Sequence, residues 1–331
     1  MHRLPLTSMS TPRPCIPILG FGTGTKHFNR DVFKGVDTND EALPLSQEVV
    51  AAVTSALDCG LTHIDAAEMY GTEREVGVAL RTFLARPGAS RQQLFITTKL
   101  FKGLADVPKA VPACLSRLGL DQVDLLLVHS PFTPDLDYRK VWADMEACVD
   151  RGLARSIGVS NYTAQQLTEL MSYARIKPSM NQVEAHPHLQ QPELREVCRH
   201  HGVVVSAYSP QAPLTLKEVP AGALPLRELL QRLAETHSVT PGQVLLRWSI
   251  QQGYVPITTT SSPQRMREYL AAAQAGPPPA PAGPPELAGG QQGGLHAAFS
   301  LSQDEVDEIS RLGAEHKLRL YWAKEYEALG L

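Results

Sequence analysis

The sequence predicts a parallel (β/α)8 barrel, an α/β TIM barrel, on three observations. Eight short apolar runs alternate with amphipathic stretches along most of the chain. Several runs are nearly continuous in Val, Ile and Leu, as strands covered on both faces require. The length, 331 residues, suits one such barrel. A doubly wound open sheet is the alternative. It would carry G-x-G-x-x-G between its first strand and helix, and the nearest stretch, "GFGTGT" from Gly20 to Thr25, has the wrong spacing.

In chain order, the strand candidates are "PILGFG" (17–22), "THIDA" (62–66), "LFITTKL" (94–100), "VDLLLVHS" (123–130), "ARSIGVSN" (154–161), "PSMNQVEAHP" (178–187), "VVVSAYSP" (203–210) and "YVPITTT" (254–260). Helical patterns fall between them. "SQEVVAAVTSALDCG" opens on a capping Ser46 and closes on Gly60. "EREVGVALRTFLA", "VPKAVPACLSRLG", "RKVWADMEACVDRG", "TAQQLTELMSYA", "PELREVCRHHG" and "PGQVLLRWSIQQG" repeat apolar residues at helical spacing. Two stretches break the alternation. "KHFNRDVFKGVDTNDEALP" is a long polar insertion after the first strand. The segment from Ala275 to Phe299, rich in Pro, Gly and Ala, cannot pack a core and reads as a flexible surface excursion. Neither resembles a domain boundary, so residues 1–331 read as one domain, with a tail over 313–331 placed to close a pocket.

Bulk composition removes several function classes. With 43% hydrophobic and 20% charged residues this is an ordinary globular composition. The net charge of −3 offers no basic field for nucleic acid or anionic lipid. No apolar run approaches the ~18 residues of a membrane span. The first residues lack a compact apolar stretch behind a basic start, so no secretory signal is expected. Five cysteines without C-x-x-C spacing argue against a disulfide framework or a zinc site and fit a reducing cytoplasm.

Chemistry on a barrel gathers at the C-terminal ends of its strands. Asp65 ends the second run, Lys99 the third and His129 the fourth, and Tyr70 follows the second by a short loop. Adjacent strands lie about 4.8 Å apart, so the four groups can meet at one rim. A phenol is a poor acid at neutral pH. A lysine cation beside it favours the phenolate and lowers its pKa, and an aspartate holds that cation charged. A histidine can hydrogen-bond an incoming carbonyl oxygen. Together these groups make a proton donor for an oxygen that becomes alkoxide-like as hydride arrives at its carbon.

In these residues the chain resembles the aldo-keto reductase superfamily. "GFGT", "HIDAAEMYGTEREVG", "ITTKL", "DLLLVHSP", "GVSNY", "NQVEAHP" and "AYSP" recur in that family's order over about residues 16 to 270. The resemblance implies a metal-free barrel that interconverts carbonyls and alcohols with NADPH, with Asp65, Tyr70, Lys99 and His129 as catalytic tetrad and Tyr70 as acid. It also implies that Ser160, Asn161 and Gln182 hold the nicotinamide carboxamide and that Tyr208 stacks on its ring. Thr23, Gly24 and Ser209 join them in the cofactor set.

The pattern departs in two places. NADPH-binding relatives carry a lysine-serine pair after the eighth strand, with an arginine a few residues on. Here "TTTSS" (258–262) replaces the lysine, and Arg265 remains. Thr259, Thr260, Ser261 and Arg265 are therefore assigned to the 2′-phosphate, and NADH stays acceptable as a second cofactor. Gly24 and Ser130 stand where relatives have tryptophan, which removes bulk from the pocket. Phe132 and Trp322 are assigned to refill it as substrate contacts, with Tyr321 beside them. "EAHPH" places Glu184, His186 and His188 on one strand face, a conceivable metal spacing that Pro187 interrupts.

The expected function is carbonyl reduction on a small-molecule substrate by a monomer or weak homodimer. A dinucleotide-binding regulatory subunit with little turnover is the alternative; it would carry a degraded tetrad. A metal-dependent barrel hydrolase would need ligands at several strand ends.

Overall fold

The computed structural model describes residues 3–6, 15–34, 40, 42–133, 135–216, 218, 220–274 and 299–330. It contains a closed barrel of eight parallel strands. A short antiparallel hairpin, β1 (Arg3–Pro5) with β2 (Cys15–Pro17), precedes it. The barrel strands are β3 (Gly20–Gly22), β4 (His63–Asp65), β5 (Phe95–Leu100), β6 (Val123–Val128), β7 (Ala154–Ser160), β8 (Met180–Glu184), β9 (Val204–Tyr208) and β10 (Val255–Thr258). They pair in chain order, and β10 closes on β3 through Ile257↔Gly20 and Thr258↔Phe21. All eight strand candidates fall on barrel strands, but the first is shorter than expected. Pro17 belongs to the hairpin, and only Gly20–Gly22 enter the barrel.

The long helices outside the barrel are α1 (Gln47–Asp58), α2 (Glu73–Leu84), α3 (Val107–Leu118), α4 (Tyr138–Asp150), α5 (Ala164–Tyr173) and α6 (Pro192–His201). A short α7 (Ala212–Thr215) leads to α8 (Leu224–Thr236), α9 (Pro241–Gln251), α10 (Pro263–Ala272), α11 (Gln303–Ala314) and a final short α12 (Ala323–Glu327). Helix starts follow local chemistry. Ser46, Thr163, Thr240 and Ser302 each accept a backbone N–H at N3, the last three in capping boxes.

Strand parity decides which side chains reach the interior. On β6, Leu125 and Leu127 point inward and join Phe95, Met180 and Val255, over which Leu6 and Ile16 of the hairpin region close the bottom. Leu126 and Val128, one step out of phase, belong to the cluster beneath the helices. The same alternation on β5 turns Phe95, Thr97 and Lys99 inward and Thr98 outward, where it bonds Glu73 of α2. A strand whose lower inward residues pack the core thus delivers an inward polar residue at its top.

The polar insertion contains a 3₁₀ turn, Arg30–Lys34. Residues 275–298 of the Pro-rich segment lie outside the described residues. Phe299, the last residue assigned to that excursion, is buried against His237 and so belongs to the packed protein. No helix among the described residues is long and apolar enough to cross a membrane.

Candidate active site

Asp65, Lys99 and His129 meet at the barrel top as their strand positions require. Lys99 is fully buried, and its Nζ donates to Asp65 Oδ1 at 2.5 Å, to Ala66 O at 3.0 Å and to Tyr70 Oη at 3.3 Å. Gln182 Nε2 donates to the second carboxylate oxygen of Asp65 at 2.9 Å. Both aspartate oxygens and the ammonium therefore keep hydrogen-bond partners although water is excluded, the condition under which a buried ion pair is tolerated. The Asp65 side chain, although at the rim, is only 2% exposed.

Tyr70 ends a 3₁₀ turn, Glu68–Tyr70. The Glu68 carboxylate accepts the Phe101 and Gly103 amides, which fixes that turn to the loop beyond β5. Gly71 follows in the left-handed region, φ 63°, and lets the chain turn into α2. The Tyr70 ring lies edge-on to His129, 5.5 Å between centroids. Gly24 sits beneath the ring: a Cβ there would come 2.9 Å from Tyr70 Cζ. Loss of a tryptophan at position 24 was expected to empty the pocket. Instead the catalytic candidate itself covers the glycine.

Electrostatics at the site differ from expectation in one respect. Burial pushes the Tyr70 phenol above its ordinary value of 10, and the Lys99 charge pulls it back only in part. The net direction is upward, not downward. Burial opposes the Lys99 charge, but Asp65 and Tyr70 outweigh burial and hold the ammonium above its usual range. His129 is driven well below its ordinary value by burial and then by Lys99, so its ring is neutral near pH 7.

A cavity of about 650 Å³ opens above these groups. Tyr70, His129, Ser160, Asn161, Gln182, Tyr208 and Ser209 line it. Tyr208 Oη donates to Asn161 Oδ1 at 2.8 Å, and Asn161 Nδ2 donates to the His129 carbonyl at 2.9 Å. Trp322 and Tyr321 of the C-terminal tail line the cavity too, Trp322 edge-on to His129 and Tyr321 edge-on to Tyr208. Phe132, expected to line the pocket, stands behind Trp322, ring centroids 5.5 Å apart. Thr23 is not in the wall either. Its hydroxyl donates to Asp65 O and accepts from Thr72, so it ties β3 to β4.

Thr25, Asn161, Ser209 and Trp322, all cavity-lining, adopt left-handed backbone conformations. Such strain in non-glycine residues concentrates where function over-determines the backbone. No sequence pattern signalled it.

The "EAHPH" stretch holds the tail. Glu184, 1% exposed, accepts from the Leu320 and Tyr321 amides at 2.9 Å each and contacts His186 Nε2 at 3.0 Å. His188 bonds Gly313 O through Nδ1 and receives the Leu318 amide. Gly313 is packed so tightly on Pro187 that a Cβ would meet its carbonyl oxygen at 2.3 Å. Gly313 and Ala314 thus complete α11, and the tail proper begins after them. No group of three His, Cys, Asp or Glu among the described residues is arranged to hold a metal.

The 2′-phosphate candidates lie apart from this cavity, beyond β10. Ser262 Oγ caps α10 at the Arg265 amide, Thr260 Oγ1 accepts the Ser262 amide, and Thr259 Oγ1 is buried without a partner. The residues present fit a phosphorylated nicotinamide dinucleotide. Amide and hydroxyl side chains and a flat ring line one cavity, and an unsatisfied hydroxyl and Arg265 stand beyond the neighbouring strand end.

A closed barrel with this polar rim defines an oxidoreductase of the nicotinamide-dependent barrel class. The chain belongs to the aldo/keto reductase family, whose description matches residues 22–277. It is 33% identical over 313 residues, covering 93% of this chain and 95% of the relative, to an NAD/NADP-dependent indole-3-acetaldehyde reductase of Schizosaccharomyces pombe. It is 34% identical over 323 residues, covering 95% and 92%, to an NADPH-dependent alpha-keto amide reductase of Saccharomyces cerevisiae. The crystal structure of a Bombyx mori aldo-keto reductase in complex with NADP superposes with a TM-score of 0.75 at 30% identity, covering 98% of this chain and 96% of that one.

Proposed function

We propose that the protein is an NADPH-dependent carbonyl reductase acting on aldehydes and activated ketones that carry an aromatic or extended apolar body. The observation that carries this reading is the contact of Lys99 Nζ with both Asp65 and Tyr70 beneath a cavity walled by Trp322 and Tyr321. The names of the fungal relatives, one for an aromatic aldehyde and one for α-keto amides, support the substrate class.

When bound, the dinucleotide supplies hydride to the substrate carbon. Ser160, Asn161 and Gln182 would hold its carboxamide and Tyr208 would face its ring. Tyr70 Oη keeps its proton at neutral pH, because burial raises its pKa, and passes that proton to the substrate oxygen as negative charge develops there. Neutral His129 donates a hydrogen bond to the same oxygen and fixes its direction. Lys99 receives the charge left on the phenolate, and Asp65 keeps Lys99 protonated. The tail excludes water above the reacting atoms. The chain acts as a single domain, a monomer or weak homodimer.

The deciding experiment follows NADPH consumption with aromatic aldehydes, α-keto amides, diketones and sugars, using Tyr70→Phe as the control. Turnover of the first two classes that is lost in the control is expected. Equal rates in both proteins would remove Tyr70 from the chemistry, and absence of turnover across the panel would overturn the substrate class.

A further inference from the structure

We propose that Lys26 supplies the second cation of the adenosine 2′-phosphate site, from the opposite side of the barrel seam to the lysine that is missing after β10. The proposal rests on the NADPH reading above and assigns a residue that sequence reasoning passed over.

Lys26 follows Thr25, held at φ 47°, in a turn that the His27 amide closes on the Gly24 carbonyl at 3.0 Å. Its Nζ donates to Ser261 Oγ, 235 positions away in sequence. The contact follows from barrel closure. β3 and β10 are neighbours, so the loops leaving their upper ends face each other across the seam. Lys26 therefore arrives beside the hydroxyl-rich stretch in which this chain lacks the family's lysine.

The surroundings are those of an anion site without its anion partner in the chain. Neither Lys26 nor Arg265 forms an ion pair with an acid among the described residues, although the chain as a whole is net negative. Thr259 Oγ1 is buried with no partner. The ten-residue α10 begins here, so its N-terminal end adds a favourable field for negative charge. A hydrogen bond between an exposed lysine and a serine contributes little to the fold and does not call for a lysine. A lysine ammonium set on this hydroxyl-rich stretch, with Arg265 in the first turn of the helix that follows, does match a dianionic phosphate monoester.

The test is binding, not turnover. Purified full-length protein is titrated calorimetrically with NADPH, NADH, 2′,5′-ADP and 5′-AMP, in wild type, Lys26→Met, Lys26→Arg and Arg265→Ala. Lys26→Met should weaken NADPH and 2′,5′-ADP by about tenfold or more and leave NADH and 5′-AMP within about twofold. Lys26→Arg should stay near wild type, because it keeps the charge. Equal weakening of all four ligands would make Lys26 a loop tie only, and unchanged affinities would remove it from the site; either overturns the proposal. A wild-type protein that binds neither dinucleotide overturns the cofactor reading itself, which separates the two failures.

Discussion

Lys99 Nζ is shared between Asp65 Oδ1, at 2.5 Å, and Tyr70 Oη, at 3.3 Å. The ammonium is fully buried, so its charge reaches the phenol with little screening. Lys99→Met should raise the Tyr70 pKa further above its already elevated value. Reduction uses the neutral phenol, which is present at pH 7 in both proteins. Alcohol oxidation uses the phenolate, so its kcat/KM profile should move to higher pH in the variant. An unmoved profile at near-normal activity would sink the electrostatic role.

The same substitution leaves Asp65 buried without a cation, and breaking a buried pair typically costs about 3–5 kcal/mol. Lys99→Met should therefore unfold at a clearly lower urea concentration than wild type. The double variant Asp65→Asn, Lys99→Met should recover much of that loss, since a neutral amide in place of the carboxylate strands no charge. A double variant no more stable than the single one contradicts this account.

Gly24→Ala should cost turnover more than stability. The new Cβ would press on the Tyr70 ring at 2.9 Å and displace its hydroxyl from Lys99. A misplacement of this size commonly costs on the order of 10²-fold. Circular dichroism melting should shift little. Wild-type kcat in the alanine variant would show that the ring moves aside freely.

Glu184→Ala removes the acceptor of the Leu320 and Tyr321 amides. The tail should loosen, KM for aromatic aldehydes should rise, and a small aliphatic aldehyde should be much less affected. Proteolytic nicking within 315–330 should quicken in step. If KM rises equally for large and small substrates, Glu184 does not act through the tail.

His63 is buried beside Thr97, and burial lowers its pKa to about 4 from 6.5. Below pH 6.5 the unfolded chain takes up a proton that the folded one refuses until about pH 4. Stability from this residue is complete above pH 6.5 and is lost as pH falls through that window. Roughly 2 kcal/mol should disappear between pH 7 and pH 5, read as a lower urea midpoint. His63→Asn should flatten that dependence; an unchanged slope would assign the acid sensitivity elsewhere.

Much of the site was legible because parity and topology act together. Lys99 and His129 were readable from "ITTKL" and "LLLVHSP" because inward phase along a buried strand is set by the apolar residues below. What escaped reading depends on contacts distant in sequence. Nothing near Lys26 indicates that Ser261 faces it, and nothing in "EAHPH" distinguishes a metal-like spacing from a receptor for backbone amides. The β1–β2 hairpin escaped because three-residue strands carry no usable period, and the upward shift of Tyr70 escaped because it depends on how deeply residues distant in sequence, such as Phe28 and His129, bury the ring. Helices α8, α10 and α11 lie outside the helical stretches read from the sequence, although each buries apolar residues.

The carboxylate of Glu184 and the amides it binds lie 136 and 137 positions apart. Closing so long a loop costs more chain entropy than pairing successive strands, so during folding the latch forms after the neighbouring β8 and β9 have met. Lids of this kind belong to the least stable part of a native protein and open before the rest. The wall of the reaction chamber thus gains its cover only after the strands beneath it have paired, and opens to water while those strands still hold.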